Sequence, residues 1–378
     1  MKHLFAAAVF GLFCQADAAA QVAEADILAF NHAVESNDDA LLRAAAVRLA
    51  NAAIANPEDP GAGIAAYEAA WTLGRTGAWA EALPGAKFAA GLPDATAQDR
   101  LLLAFVVWKG KPTSANSRSL QRSLDEIQSL APSGMSASAF REFYASKLNT
   151  RDFAGAEKVA RQAALHFAAG GDTLRQYEVE ARAIAITSRF NTTPRVAQLE
   201  EMVHLRGELR QMQRQAGRDR PGWIDDAYWQ ANAWQNAMQA YFMSVGDRNL
   251  RPARLEEILA GYGASDPQLE WVEITEDSLP VNRGPFCAGE LVQQPPMRYP
   301  AGQAMRGRFG SVIVRFRFEN GAVRDPEVLA AVPMDGFRQE ALRTVSQWHF
   351  RPSEDPAVTG CRLDHHNVIQ ELVFAIGG

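Results

Sequence analysis

The sequence predicts a multidomain chain: an all-α domain of repeated helical hairpins, then a small α+β domain. Three observations carry that prediction. Residues 25–262 are rich in alanine and apolar at helical spacing, and Asn, Asp, Gly and Pro break them at intervals. From Pro295 to Pro352 the apolar period changes from two to about 3.6 residues, the passage from strands to a helix. Between the two lies a short stretch punctuated by Pro267, Pro280 and Gly284. The expected organisation is a leader at 1–20, a helical-repeat domain at 21–262, a connector at 263–283 and the α+β domain at 284–378.

Residues 1–20 have the form of an export signal. Lys2 and His3 give a basic head, Leu4 to Phe13 an apolar run, and Ala16-Asp17-Ala18 or Ala18-Ala19-Ala20 a small-residue cleavage site. The run is short for a bilayer span. Cys14 follows Phe13, which is too bulky for the small residue that lipidation requires before the cysteine. The expected destination is the periplasm, with an uncleaved leader in the inner membrane as the alternative.

The helical part contains three similar segments, AVESNDDALLRAAAVRLANAAIANPEDP, YEAAWTLGRTGAWAEALPGAKFAAGLPD and YASKLNTRDFAGAEKVARQAALHFAAGGD. Each has a first helix, a short polar turn and a second helix of small residues. Gly77, Trp79 and Ala82 in the second correspond to Asp152, Phe153 and Ala156 in the third. The segments resemble degenerate tetratricopeptide repeats, in which small residues let helices approach and an aromatic after the turn fills the gap. An irregular helical bundle is the alternative. Arg206, Arg210 and Arg214 recur every fourth residue as a basic stripe or a solvated face beside Glu200 and Glu208. Trp223, Tyr228, Trp229, Trp234, Tyr241 and Phe242 are read as packing residues rather than a groove.

In the α+β domain Val312, Val314, Phe316 and Phe318 alternate with Ser311, Ile313, Arg315 and Arg317, which predicts a strand with one core face and one wet face. Asn320-Gly321 supplies a hairpin turn. The second strand, Val323 to Leu329, contains Pro326, which marks an edge or a bulge. Phe337, Ala341, Leu342, Val345 and Trp348 then share one face of a helix, with Asp335 as its cap and Pro352 closing it before Phe350. Residues 367–376 alternate again as a last strand.

These residues resemble the C-terminal domain of TonB, the periplasmic protein that energises outer-membrane transporters. The matching set, in order, is Tyr299-Pro300, Ala304, Gly307, Gly310, Gly321, Phe337, Ala341-Leu342, Trp348, Phe350 and Pro352. The resemblance implies a non-enzymatic binding domain whose terminal strand accepts a short transporter peptide. Carried to this chain, the contact residues are Val368, Ile369, Gln370, Glu371, Leu372, Val373 and Phe374. TonB itself carries a membrane anchor and a Pro-rich spacer that this reading does not find, which favours recognition over force transduction.

An oxidising compartment allows Cys287 and Cys361, which bracket the hairpin and helix, to pair; two buried free thiols are the alternative. With 47% hydrophobic and 22% charged residues the composition is that of an ordinary soluble protein, and the net charge of -6 argues against nucleic acid. From Gly284 onward 10 basic residues balance 10 acidic ones, so the acidity lies upstream. There is no HExxH, CxxC, GxSxG or phosphate-binding glycine loop. His32, His166, His204 and His349 are scattered, and His365-His366 beside Asp364 point different ways on an extended chain. No enzyme, cofactor or metal is expected. The expected function is strand-addition binding of an envelope protein or peptide, such as one from a TonB-dependent outer-membrane transporter. The alternative is a repeat scaffold whose last domain dimerises, as a homodimer, or touches the cell wall.

Overall fold

The computed structural model describes residues 22, 24–36, 38–247, 250–262, 287–292, 295, 297–305, 307–334, 336–361 and 363–375. The leader with Cys14, the connector at 263–283, the Asp335 cap and Ile376 lie outside them. The first part is all-helical. Its helices are α1 (Glu24–Ser36), α2 (Asp39–Ala55), α3 (Ala62–Arg75), α4 (Trp79–Gly91), α5 (Ala97–Gly110), α6 (Ser114–Glu126), α7 (Gly134–Asn149), α8 (Phe153–Ala168), α9 (Arg175–Thr192), α10 (Val196–Ala216), α11 (Gly222–Ser244) and α12 (Pro252–Gly261). An α+β domain follows, with β1 (Gly289–Val292), α13 (Ala301–Ala304), β2 (Gly310–Glu319), β3 (Ala322–Val332), α14 (Arg338–Val345), β4 (His349–Pro352), α15 (Pro356–Thr359) and β5 (His365–Phe374). Contacts divide the chain into two compact units, 1–142 and 143–378.

In the first unit antiparallel helices pair through small residues. Ala66, Ala70, Ala82 and Ala86 are buried, and a Cβ on Gly85 would come within 3.0 Å of the Ala66 carbonyl. Gly77, at φ 80°, turns the chain between α3 and α4. Trp79 then lies over Gly74, where a Cβ would meet its ring at 2.6 Å, and packs edge-on against Phe105 with centroids 5.4 Å apart. The aromatic after the turn thus fills the space that the glycine leaves. Thr96 and Asp99 cap α5 reciprocally.

In the second unit Asp152 caps α8. One carboxylate oxygen accepts the Gly155 N–H at 3.0 Å and the other accepts from Lys147 Nζ at 2.8 Å. These bonds, the Lys147 one foremost, hold the Asp152 carboxyl below its usual range. Arg182 grips Glu208 through two parallel bonds of 2.6 and 2.8 Å, joining α9 to α10. Leu199, Met202, Val203, Leu205 and Leu209 of α10 form a core with Tyr228, Met238 and Phe242 of α11 and with Leu255 and Ile258 of α12. All six aromatic residues singled out in the sequence join this packing.

The five strands lie in the order β1-β4-β3-β2-β5, with every pairing antiparallel. The β2–β3 hairpin turns at Asn320 and Gly321, both at positive φ, as the Asn-Gly pair requires. Pro326 sits at a bulge, where Asp325 is at φ 49° and the register with β2 shifts between Arg315 and Arg317. The helix after Pro333 is shorter than its apolar period suggests and ends at Val345. His349 to Pro352 form β4, paired with β1. Neither short strand carries enough alternation to be read locally.

The aromatic motif residues pack into the core, whereas Ala304 and Gly307 are exposed. Tyr299, Phe337 and Phe374 form an aromatic triad, with Phe337 and Phe374 stacked at 4.4 Å. A Cβ at Gly310 would fall 2.2 Å from the Phe337 ring. Trp348 meets Phe316, and Phe350 meets Phe318. Cys287 and Cys361 form a disulfide spanning 74 residues. Closing a loop of that size constrains the unfolded chain by about 4 kcal/mol in the entropy model.

The second face of β2 departs from expectation. Arg315 remains exposed, but Ser311 and Ile313 are fully buried, because α11 covers that end of the sheet. Ala233 and Ala237 rest on Ile313, Ala330 and Val332, flanked by Trp229, Trp234, Leu329 and Ile369. Alanines on α11 let helix and sheet approach closely, so that end of the sheet is buried on both faces. Tyr241 of α11 also packs edge-on against Phe309, 5.3 Å away.

Two outcomes follow. A fragment of residues 284–378 lacks α11 and exposes Ile313, Ala330 and Val332, so it self-associates and binds a hydrophobic dye, whereas 143–378 stays monodisperse; light scattering after gel filtration checks this. Because the folded Asp152 carboxyl titrates below its ordinary 3.8, its stabilisation is complete above that value and is lost as pH falls through the folded one. Asp152→Ala therefore costs about 1 kcal/mol in urea unfolding near neutral pH. The difference from the parent chain shrinks on acidification below 3.8.

Candidate strand-addition edge

The sheet ends in the short β1 and in β5, and among the described residues the interior strand β3 is left without a strand on one side over most of its length. β5 is last in the order, and β3 meets β4 only at Ala322, opposite His349. Their chemistry differs. On β3, Pro326 lacks an N–H, Asp325 kinks the backbone, and Arg324, Asp325 and Glu327 stand in solvent. Arg315 and Arg317 of β2 reach Glu327 and Asp325 there at 2.6 Å each, exposed pairs that water and salt largely screen. Such an edge resists pairing.

β5 carries none of these devices from Val368 to Phe374. Its register with β2 is continuous over that stretch, from Gly310 opposite Phe374 to Phe316 opposite Val368. It contains no proline, and its single charged residue there, Glu371, is turned toward α11. An unbroken row of backbone groups at a sheet edge is what an incoming strand needs.

The seven residues named from the sequence all lie on β5, and their side chains divide between the two faces. Val368, Leu372 and Phe374 pack into the core that includes Phe337 and Val345. Gln370 stands opposite Val314 on the same face, and its amide donates to the Glu371 carbonyl at 3.2 Å. Ile369 packs toward α11 with Trp229. Val373 is 41% exposed. Most of these side chains are engaged within the fold, and what the strand leaves open is its outer backbone edge.

Glu371 binds two residues that sequence reasoning passed over. The Asn232 and Asn236 side-chain amides of α11 donate one to each of its carboxylate oxygens, the Asn236 bond at 2.7 Å. Arg206 of α10 donates to the Asn232 carbonyl oxygen at 2.7 Å. The basic stripe is thereby partly absorbed: Arg206 joins this network, and Arg210 lies over the Tyr228 ring and bonds Gln213. The only sequence signal was two asparagines four apart on α11, one helical turn apart on the same side.

Among the described residues no group of three His, Cys, Asp or Glu could hold a metal, and no helix is long and apolar enough to cross a membrane.

Residues 295–360 match the family described as Gram-negative bacterial TonB protein C-terminal. The match covers α13 to α15 and stops short of β5. No curated protein matches the chain. The C-terminal α+β sheet domain is thus similar to the TonB C-terminal domain, and an all-helical region of about 12 helices in pairs precedes it.

Proposed function

We propose that this chain is a periplasmic binding protein whose β5 edge takes up an extended peptide from an envelope partner, such as an outer-membrane transporter, by strand addition. The observation that carries the reading is the contrast between the β5 edge and the unpaired side of β3. β3 is blunted by proline, bulge and charge, whereas β5 runs unbroken from Val368 to Phe374. The similarity of residues 295–360 to the TonB C-terminal domain supports a protein partner of that kind. The Cys287–Cys361 disulfide suits an oxidising envelope compartment.

Recognition on this reading is a backbone event. An added strand exchanges hydrogen bonds with β5, and its alternate side chains fall above and below the sheet. The α11 cover holds β5 from behind, so the edge is presented by a rigid unit and less ordering accompanies binding.

The test uses the full chain with synthetic peptides from the N-terminal segments of outer-membrane transporters. Amide exchange should slow at alternate residues between Val368 and Phe374, and 323–332 should be unchanged. Peptides N-methylated at alternate amides, which keep their side chains but lose donors, should bind at least about tenfold more weakly. Protection confined to the helices, or equal binding of the methylated peptides, would remove the strand-addition reading and favour the helical scaffold.

A further inference from the structure

We propose that Glu371, clamped by Asn232 and Asn236, is the register key of β5: it fixes which backbone groups the strand presents at its outer edge. The inference deepens the strand-addition reading and rests on it for its functional meaning, though not for its test.

Apolar patterning excludes some registers of β5 and leaves others open. A one-residue slip of β5 against β2 would turn Val368, Leu372 and Phe374 out of the core, and the side-chain period forbids it. A two-residue slip keeps every side chain on its own face. On the α11 side it would bring Ile369 or Val373 to the place of Glu371, and an aliphatic residue suits a surface built from Ala233, Ala237 and Trp229. Phe374 over Gly310, against Phe337, resists the slip at one end of the strand.

The polar clamp discriminates where apolar packing does not. Asn232 and Asn236 are 1% and 8% exposed, one helical turn apart, and each amide is directed to a different oxygen of the same carboxylate. Arg206 holds the other end of the Asn232 amide, which fixes its orientation. In a slipped register both buried amides would face a hydrocarbon side chain, and the carboxylate would be drawn away from its donors, losses that the native register does not incur. A buried polar group that sets register is the best-attested use of such groups.

The geometry makes Glu371 a positioning residue, acting through the strand it holds. In the native register Arg315 lies opposite Ile369. Cysteine pairs in the full chain read that register without any ligand: Arg315→Cys with Ile369→Cys for the native one, and Arg315→Cys with Asn367→Cys or Arg317→Cys with Ile369→Cys for slips either way. With the clamp intact, oxidation and peptide mapping should give the native crosslink. In Glu371→Leu the slipped crosslinks should rise by about tenfold or more over the parent, and Glu371→Gln, which keeps one acceptor, should return them toward it. Asn232→Ala with Asn236→Ala reads the same quantity if the leucine variant does not fold. Slipped crosslinks at the parent level in both variants would overturn the proposal, as would loss of native and slipped crosslinks together, since that means a detached strand. A slipped register in a chain whose parent takes no peptide would leave the register key standing and sink the binding reading alone.

Discussion

The second unit depends on the contact between α11 and the sheet. Ala233 and Ala237 let the helix lie close on Ile313, Ala330 and Val332, and Trp229 and Trp234 close the margins. Without that contact the α+β domain has one finished face, packed around Phe337, Ala341 and Val345, and one bare one. With it, the sheet becomes the middle layer of three, and both faces of β2 are buried over the Ser311–Val314 stretch. The contact also governs β5, since the strand is held from one side by β2 and from above by the Asn232–Glu371–Asn236 clamp.

Two kinds of interaction divide the labour at this edge. Apolar packing decides which face of β5 looks to which neighbour, because burying Leu372 and Phe374 outweighs any alternative that exposes them. Shifts of two it opposes only at one end of the strand, where Phe374 lies against Phe337. Hydrogen bonding to a carboxylate distinguishes them, because unmet buried donors are costly whereas an extra apolar contact elsewhere is not. The outer edge stays open because neither interaction uses it. β3 faces the same hazard of unpaired backbone, and there proline, a bulge and surface charge suppress it.

Much of this was legible in the sequence. Alanine-rich hairpins broken near Gly77 and Asp152, the Asn320-Gly321 turn, an edge or bulge at Pro326 and the helix containing Ala341 and Val345 follow from local chemistry. The pairing of Cys287 with Cys361 followed from their flanking positions and the inferred compartment. β1 and β4 were not legible, since four residues carry too little alternation and Gly289 finds its partner Pro352 only across the whole domain. The wet face assigned to β2 was half right: Arg315 is exposed, but Ile313 was a signal that something covers the other end.

Composition and period by themselves determined that helices precede a small sheet, and that a last alternating strand ends it, because those are properties of neighbours along the chain. Only the tertiary structure decided that β5 is an outer strand, that α11 roofs the sheet, and that Glu371 faces two asparagines more than 130 residues upstream, at separations of 139 and 135. The reason is physical. A strand's pattern states that one face is apolar but not what covers it, and a lone carboxylate on an apolar strand states that it needs donors but not where in the chain they are.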